Sequence, residues 1–246
     1  IMATVGDDAE PYLRRLDMLQ LPHTHVRRVE GSFTAQAFIT TDLDDNQITA
    51  FHPGAMSFSH YNNTADARDA TLAIVAPDGR DGMLKHASDL AAKGVPFIFD
   101  PGQGLPMFSG EDLLHFMELA DYACFNDYEA KMACDRTGLS HEQLASKVKA
   151  MVVTLGGEGS HIYADGQRLT IPCVAAEQII DPTGCGDAYR AGLLYGITQG
   201  WDWEKTGRLA AVMGAIKIAC RGGQNHQPSR EEIAVRYTRA FGQRPW

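Results

Sequence analysis

Residues 72–100 read LAIVAPDGRDGMLKHASDLAAKGVPFIFD. A short apolar run at 72–76 is followed by apolar residues at Met83, Leu84, Ala87, Leu90 and Ala91, the spacing of one helix face. Gly94 is a stop for that helix, and residues 95–100 read as the next strand. Strand, helix and strand in this order predict a βαβ unit with a right-handed crossover, and so an α/β fold.

The same rhythm runs on. Residues 113–119 read as helix, 122–125 as strand, 127–133 as helix, a second helix lies near 141–150, and 151–155 is strand. Strands this apolar predict a mainly parallel sheet covered on both faces by helices. Residues 160–164 and 168–173 flank Asp165-Gly166, a hairpin turn signal. Long helices are expected from about Gly186 and Trp203, and a last one after Pro228-Ser229. Residues 32–42 and 47–51 alternate around a polar tip at Leu43, Asp44, Asp45 and Asn46, which fits either a projecting antiparallel flap or a plain edge hairpin. Residues 1–5 look like the end of a strand that has no partner unit before it, so either this is a natural start or an N-terminal part is missing.

No linker-like break divides the 246 residues, which are expected to form one domain. A net charge of −9 without a basic stripe argues against a nucleic-acid partner but leaves room for a phosphorylated ligand held by backbone amides. The five cysteines form no CxxC pair, no apolar run approaches a membrane span, and no leader is evident, so a reduced, cytoplasmic protein is expected.

Residues 181–187, DPTGCGD, open into the helical stretch AYRAGLLYGITQG. A helix N-terminus presents unpaired N–H groups and a positive dipole end, and glycines there let an anion reach the backbone. Gly184, Cys185 and Gly186 are therefore candidates for an anion hole, with Cys185 supplying its N–H. Asp187 would repel a phosphate unless its task is to take a proton from an attacking hydroxyl while the turn stabilises a transferring phosphoryl group. The bland alternative is an acid placed to favour the helix dipole, worth about 0.3–1 kcal/mol. Neither GxxxxGK[ST] nor GxGxxG occurs, but Thr154-Leu155-Gly156-Gly157 sits at a strand end, where α/β sheets carry ligand loops or simple turns.

DPTGCGD with AYRAG resembles the C-terminal signature of the ribokinase-like family of ATP-dependent sugar and nucleoside kinases, usually D-T-x-G-A-G-D. Pro182 and Cys185 depart from that pattern. Residues 126–129, NDYE, resemble the family's N-x-x-E magnesium motif, and residues 154–157 its nucleotide loop. Within the family, TTDLDDNQITAFHPGAM (40–56) and DPGQGLPMF (100–108) resemble bacterial nucleoside kinases of the adenosine-kinase type.

The resemblance implies a three-layer ribokinase-like fold in which residues 24–56, roughly, form a small β-lid. It implies transfer of the ATP γ-phosphoryl group to a nucleoside 5′-hydroxyl, with Asp187 as base and Thr154, Gly156, Gly157, Gly159, Asn126 and Gly223 at the nucleotide. Gln36 and Gln103 are the candidate substrate contacts, against the plain alternative of solvated glutamines. Magnesium would be held by Asn126 and Glu129, partly through water; without the resemblance N-x-x-E also reads as a helix cap. Potassium would be held by Asp181 and the carbonyls around Thr183 and Gly222-Gly223. A homodimer is a further implication. The family's N-terminal acidic ribose-binding residue and Gly-Gly…Asn motif are not found here, which leaves open a sugar kinase or a non-catalytic ligand-binding protein on the same fold. His23 and His25 are expected at the surface rather than on a metal, and His141-Glu142 lacks the second histidine of HExxH.

Overall fold

The computed structural model describes residues 1–41 and 47–246. Where the sequence offers no linker, contacts nevertheless group the chain into two compact units, residues 1–97 with 103–108 and residues 98–102 with 109–246.

In the first unit β1 (Met2–Val5), α1 (Glu10–Met18) and β2 (His25–Arg28) form a βαβ unit, its strands parallel with Met2 opposite His25. β1 therefore pairs with a strand that follows it, one the sequence reading did not identify. HVRR, four residues ending in two exposed arginines, carries too little alternation to reveal β2. His23 lies beside Asp17, Nε2 to Oδ1 2.9 Å, at the surface. β3 (Gln36–Thr41) and β4 (Gln47–His52) pair antiparallel as a separate two-stranded sheet. It is thus no edge of the larger sheet; the expected tip at 43–46 lies outside the described residues.

The opening stretch forms β5 (Ala73–Val75), α2 (Arg80–Ala92) and β6 (Phe97–Phe99). Gly94, at φ +68°, turns the chain out of α2, a conformation that costs glycine little.

The second unit continues with α3 (Gly110–Leu119), β7 (Tyr122–Asn126), α4 (Asp127–Thr137), α5 (His141–Ala145), β8 (Ala150–Thr154), β9 (Ser160–Ala164) and β10 (Gln167–Ile171). The sheet of this unit has the order β10-β9-β8-β7-β6, with β6, β7 and β8 parallel, β9 antiparallel to β8 and β10 antiparallel to β9. Asp165 and Gly166, at φ +52° and +71°, make the expected hairpin turn. α5 ends at Ala145 rather than near 150, because Ala150 is drawn into β8 opposite Tyr122. Inside the sheet's helical cover Phe99 stacks on Phe116, ring centroids 4.3 Å apart, and meets Phe125 edge-on.

The last three elements are α6 (Cys185–Thr198), α7 (Trp203–Ile218) and α8 (Arg230–Phe241). α7 lies on β9 and β10, where Gly207 faces Ile162 and Ile171, and buries Leu209, Val212 and Ile216 with Tyr237 of α8. α6 crosses α7 at Gly192: a Cβ there would lie 2.5 Å from Ala210 Cα. Two helix backbones approach this closely only across a residue without a side chain. Gly192→Ala is therefore expected to cost about 1–3 kcal/mol, read as a lower urea midpoint, and an unchanged midpoint would contradict this crossing.

Candidate active site

The carboxylate of Asp187 stands exposed in the first turn of α6 and makes no hydrogen bond to another described residue. The turn that delivers it depends on Gly184, which takes φ +81° and lies so close to the loop after α7 that a Cβ would be 3.0 Å from Gly223 O. Cys185 N–H donates to Pro182 O at 3.1 Å, closing the turn. The Cys185 amide expected in the anion hole is thus already engaged. The N–H groups of Gly186 and Asp187 have no backbone acceptor among the described residues, and they are the donors this turn offers. The Cys185 thiol is pushed up by burial.

Beneath this turn lies a charged pair that sequence reasoning missed. Arg190, one helical turn past Asp187, donates Nε–H to Asp100 Oδ2 and Nη2–H to Asp100 Oδ1, both at 2.8 Å. Asp100 follows β6; the two residues are 5% and 8% exposed. A Cβ on Gly186 would lie 2.9 Å from Arg190 Nη1, so that glycine makes room for the guanidinium directly under the open amides. The signals were an acid ending the strand FIFD and an arginine inside AYRAG, and neither carries a recognisable motif alone.

Asn126 and Glu129 form a reciprocal cap at the start of α4. Asn126 Oδ1 accepts from Glu129 N–H at 2.7 Å, while Glu129 Oε2 and Oε1 accept from Asn126 N–H and Nδ2–H at 2.8 and 2.9 Å. The cap reading of N-x-x-E is therefore realised in full. Glu129 is buried, which raises its pKa against opposing hydrogen bonding from the Asn126 amide and attraction from Arg190. Cys124, on β7, is pushed up to about 12 by burial. No group of three or more His, Cys, Asp or Glu side chains among the described residues is arranged as a metal site.

Asp181 ties the turn to the end of α7. Its Oδ1 accepts from Thr183 N–H at 2.9 Å and its Oδ2 from Gly222 N–H at 2.7 Å, and these bonds hold its pKa down at about 2. The backbone carbonyl of Asp181 accepts from Lys217 Nζ at 2.9 Å. Of the oxygens expected around potassium, the Asp181 carbonyl is thus already met by an ammonium group.

Residues 154–159 connect β8 to β9 through a tight turn. Leu155 N–H donates to Gly159 O at 2.8 Å and Gly159 N–H to Gly156 O at 3.2 Å. Gly156 and Gly159 take φ +56° and +93°, and Gly159 backs onto Ile171 O with no space for a Cβ. Gly157 borders open space on its Cβ side. Thr154 Oγ1 donates to Phe125 O at 3.4 Å. Gln36 and Gln103 both belong to the first unit. Gln36 Nε2 donates to Asp8 Oδ2 at 3.1 Å, beside Thr34, whose N–H and hydroxyl hold Asp8 Oδ1; Gln103 is exposed at the 3₁₀ turn Gly102–Met107.

Residues 1–230 match the family described as pfkB family carbohydrate kinase. A nucleoside kinase of Methanocaldococcus jannaschii is 33% identical over 239 residues, covering 96% of this chain and 78% of that protein. The structure of the Burkholderia thailandensis nucleoside kinase in complex with inosine is 56% identical with a TM-score of 0.96, covering 99% of this chain and 81% of that one. A ribokinase of Lactococcus lactis is 31% identical, over 82% of this chain and 67% of that protein. No helix among the described residues is long and apolar enough to cross a membrane.

The Arg190–Asp100 pair makes a separable prediction. Arg190→Met strands a buried carboxylate and is expected to lower stability by about 3–5 kcal/mol, whereas Asp100→Leu with Arg190→Met recovers most of it in chemical denaturation. A double variant as unstable as the single one would contradict a charge-pairing role.

Proposed function

The chain belongs to the pfkB family of carbohydrate kinases, and on that premise we propose that it transfers the γ-phosphoryl group of ATP to the 5′-hydroxyl of a purine nucleoside. The observation that carries this reading is the first turn of α6, an exposed carboxylate beside two open amides. Asp187 accepts the proton of the 5′-hydroxyl as its oxygen bonds to the γ-phosphorus and the bond to the bridging oxygen of ADP breaks. The Gly186 and Asp187 amides, with the Arg190 guanidinium below them, stabilise negative charge on the migrating group. The turn at 154–159 and the Gly223 loop are the places for the nucleotide.

The choice of nucleoside over free sugar is supported by relatives: the Burkholderia thailandensis nucleoside kinase has been captured with inosine and with ADP and inosine. Gln36, held on Asp8, and Gln103 are proposed as substrate contacts. Magnesium, when bound with ATP, neutralises charge on the phosphate oxygens. Both Glu129 oxygens already accept one hydrogen bond, leaving second lone pairs that suit contact through water. Asn126, engaged as acceptor and donor, positions Glu129 rather than the metal.

Asp187→Asn removes the base while keeping the turn, so turnover is expected to fall by about 10²–10⁴ with ATP binding by calorimetry preserved. Near-normal phosphorylation by that variant would overturn the assignment. ATP consumption across inosine, adenosine, cytidine, ribose and fructose decides the acceptor; preference for a free sugar would refute the nucleoside reading.

A further inference from the structure

Lys217, in the last turn of α7, is 0% exposed, among the most completely buried polar residues described. Burying an ammonium ion is unfavourable unless its protons and charge are met. Here Nζ donates to Asp181 O at 2.9 Å and to Cys220 O at 3.0 Å. The negative end of the α7 dipole lies at the same place. Lysines near helix C-termini commonly reach the last carbonyls from the solvent side. This one does so from the interior, and one of its acceptors is the residue that opens the DPTGCGD turn.

The surroundings respond to a positive charge there. Lys217 adds to the hydrogen bonds that depress Asp181, and it opposes the burial that raises the Cys185 thiol. His226, whose Nδ1 is buried without a partner, is pushed down first by burial and then by Lys217. Around the ammonium, three stretches meet: Ile180 and Asp181 N–H both donate to Ile218 O, and Asp181 Oδ2 accepts from Gly222 N–H. Gly223 in turn packs against Gly184. A cation at this point gathers carbonyls that would otherwise repel one another, which is the service a bound alkali ion performs.

We infer that Lys217 is a built-in cation for the catalytic turn: its ammonium holds the Asp181 and Cys220 carbonyls together, fixes the N-terminus of α6, and makes a monovalent metal ion unnecessary. Lys217 is a positioning residue, acting through the turn without touching substrate. The catalytic half of this inference rests on the kinase reading above; the binding half does not.

The test compares KCl with tetramethylammonium chloride at equal ionic strength. Wild-type kcat and thermal midpoint are expected to be the same in both salts. Lys217→Met removes the charge at similar volume. In tetramethylammonium its kcat is expected to fall roughly 100-fold, the loss that a misplacement of about 1 Å produces. Potassium should restore much of that activity and raise the variant's thermal midpoint, a selective rescue that a merely structural lysine would not give. Potassium activation or stabilisation of the wild type overturns the inference, as does a folded Lys217→Met that is fully active without potassium or unaffected by it. The wild-type comparison decides alone if the variant does not fold. A protein that phosphorylates nothing in either salt would refute the kinase reading, while the midpoints still report on the cation.

Discussion

The bidentate contact between Arg190 and Asp100 is the constraint on which the second unit's site depends. Two ions withdrawn from water each forfeit several kcal/mol of hydration, and only good geometry offsets that. Both carboxylate oxygens of Asp100 are satisfied by one planar guanidinium at 2.8 Å, the arrangement that a lysine could not supply. Because the fork has a fixed geometry, it specifies the rotation of α6 and its position over the end of β6. The amides of Gly186 and Asp187 inherit that placement. Gly186 is in turn required by the guanidinium, since a side chain there would occupy its space.

The start of α6 collects positive potential from three sources: its own dipole, Arg190 beneath the turn, and Lys217 behind Asp181. Asp187 stands exposed in that same turn, with no hydrogen bond to another described residue. Asp181 has the opposite assignment. Three donors absorb its carboxylate and its carbonyl, so it serves as a joint between the turn and the end of α7.

The alternation of strands and helices was legible because α3 buries Leu113, Phe116 and Met117 at helical spacing while β7 is a short, continuously buried run. The Asp165-Gly166 turn was legible because two successive left-handed residues have few sequence solutions. β2 escaped, since four residues with two exposed arginines leave no period to read. α5 was overextended because residues near 150 suit a helix locally and only pairing with Tyr122 draws Ala150 into the sheet. At residues 126–129 one spacing fits both a helix cap and the metal contact that the resemblance implies, and the hydrogen bonds show the cap.

The chain's own order of residues determined the α/β class, the DPTGCGD turn and the acid that ends it, since these depend on neighbours within a few positions. Only tertiary structure decided that Arg190 finds Asp100 ninety positions away and that an ammonium from α7 stands beside Asp181. Such partners are chosen by burial: a charge removed from water must be met by whatever the fold brings beside it, and no local pattern records which residue that will be.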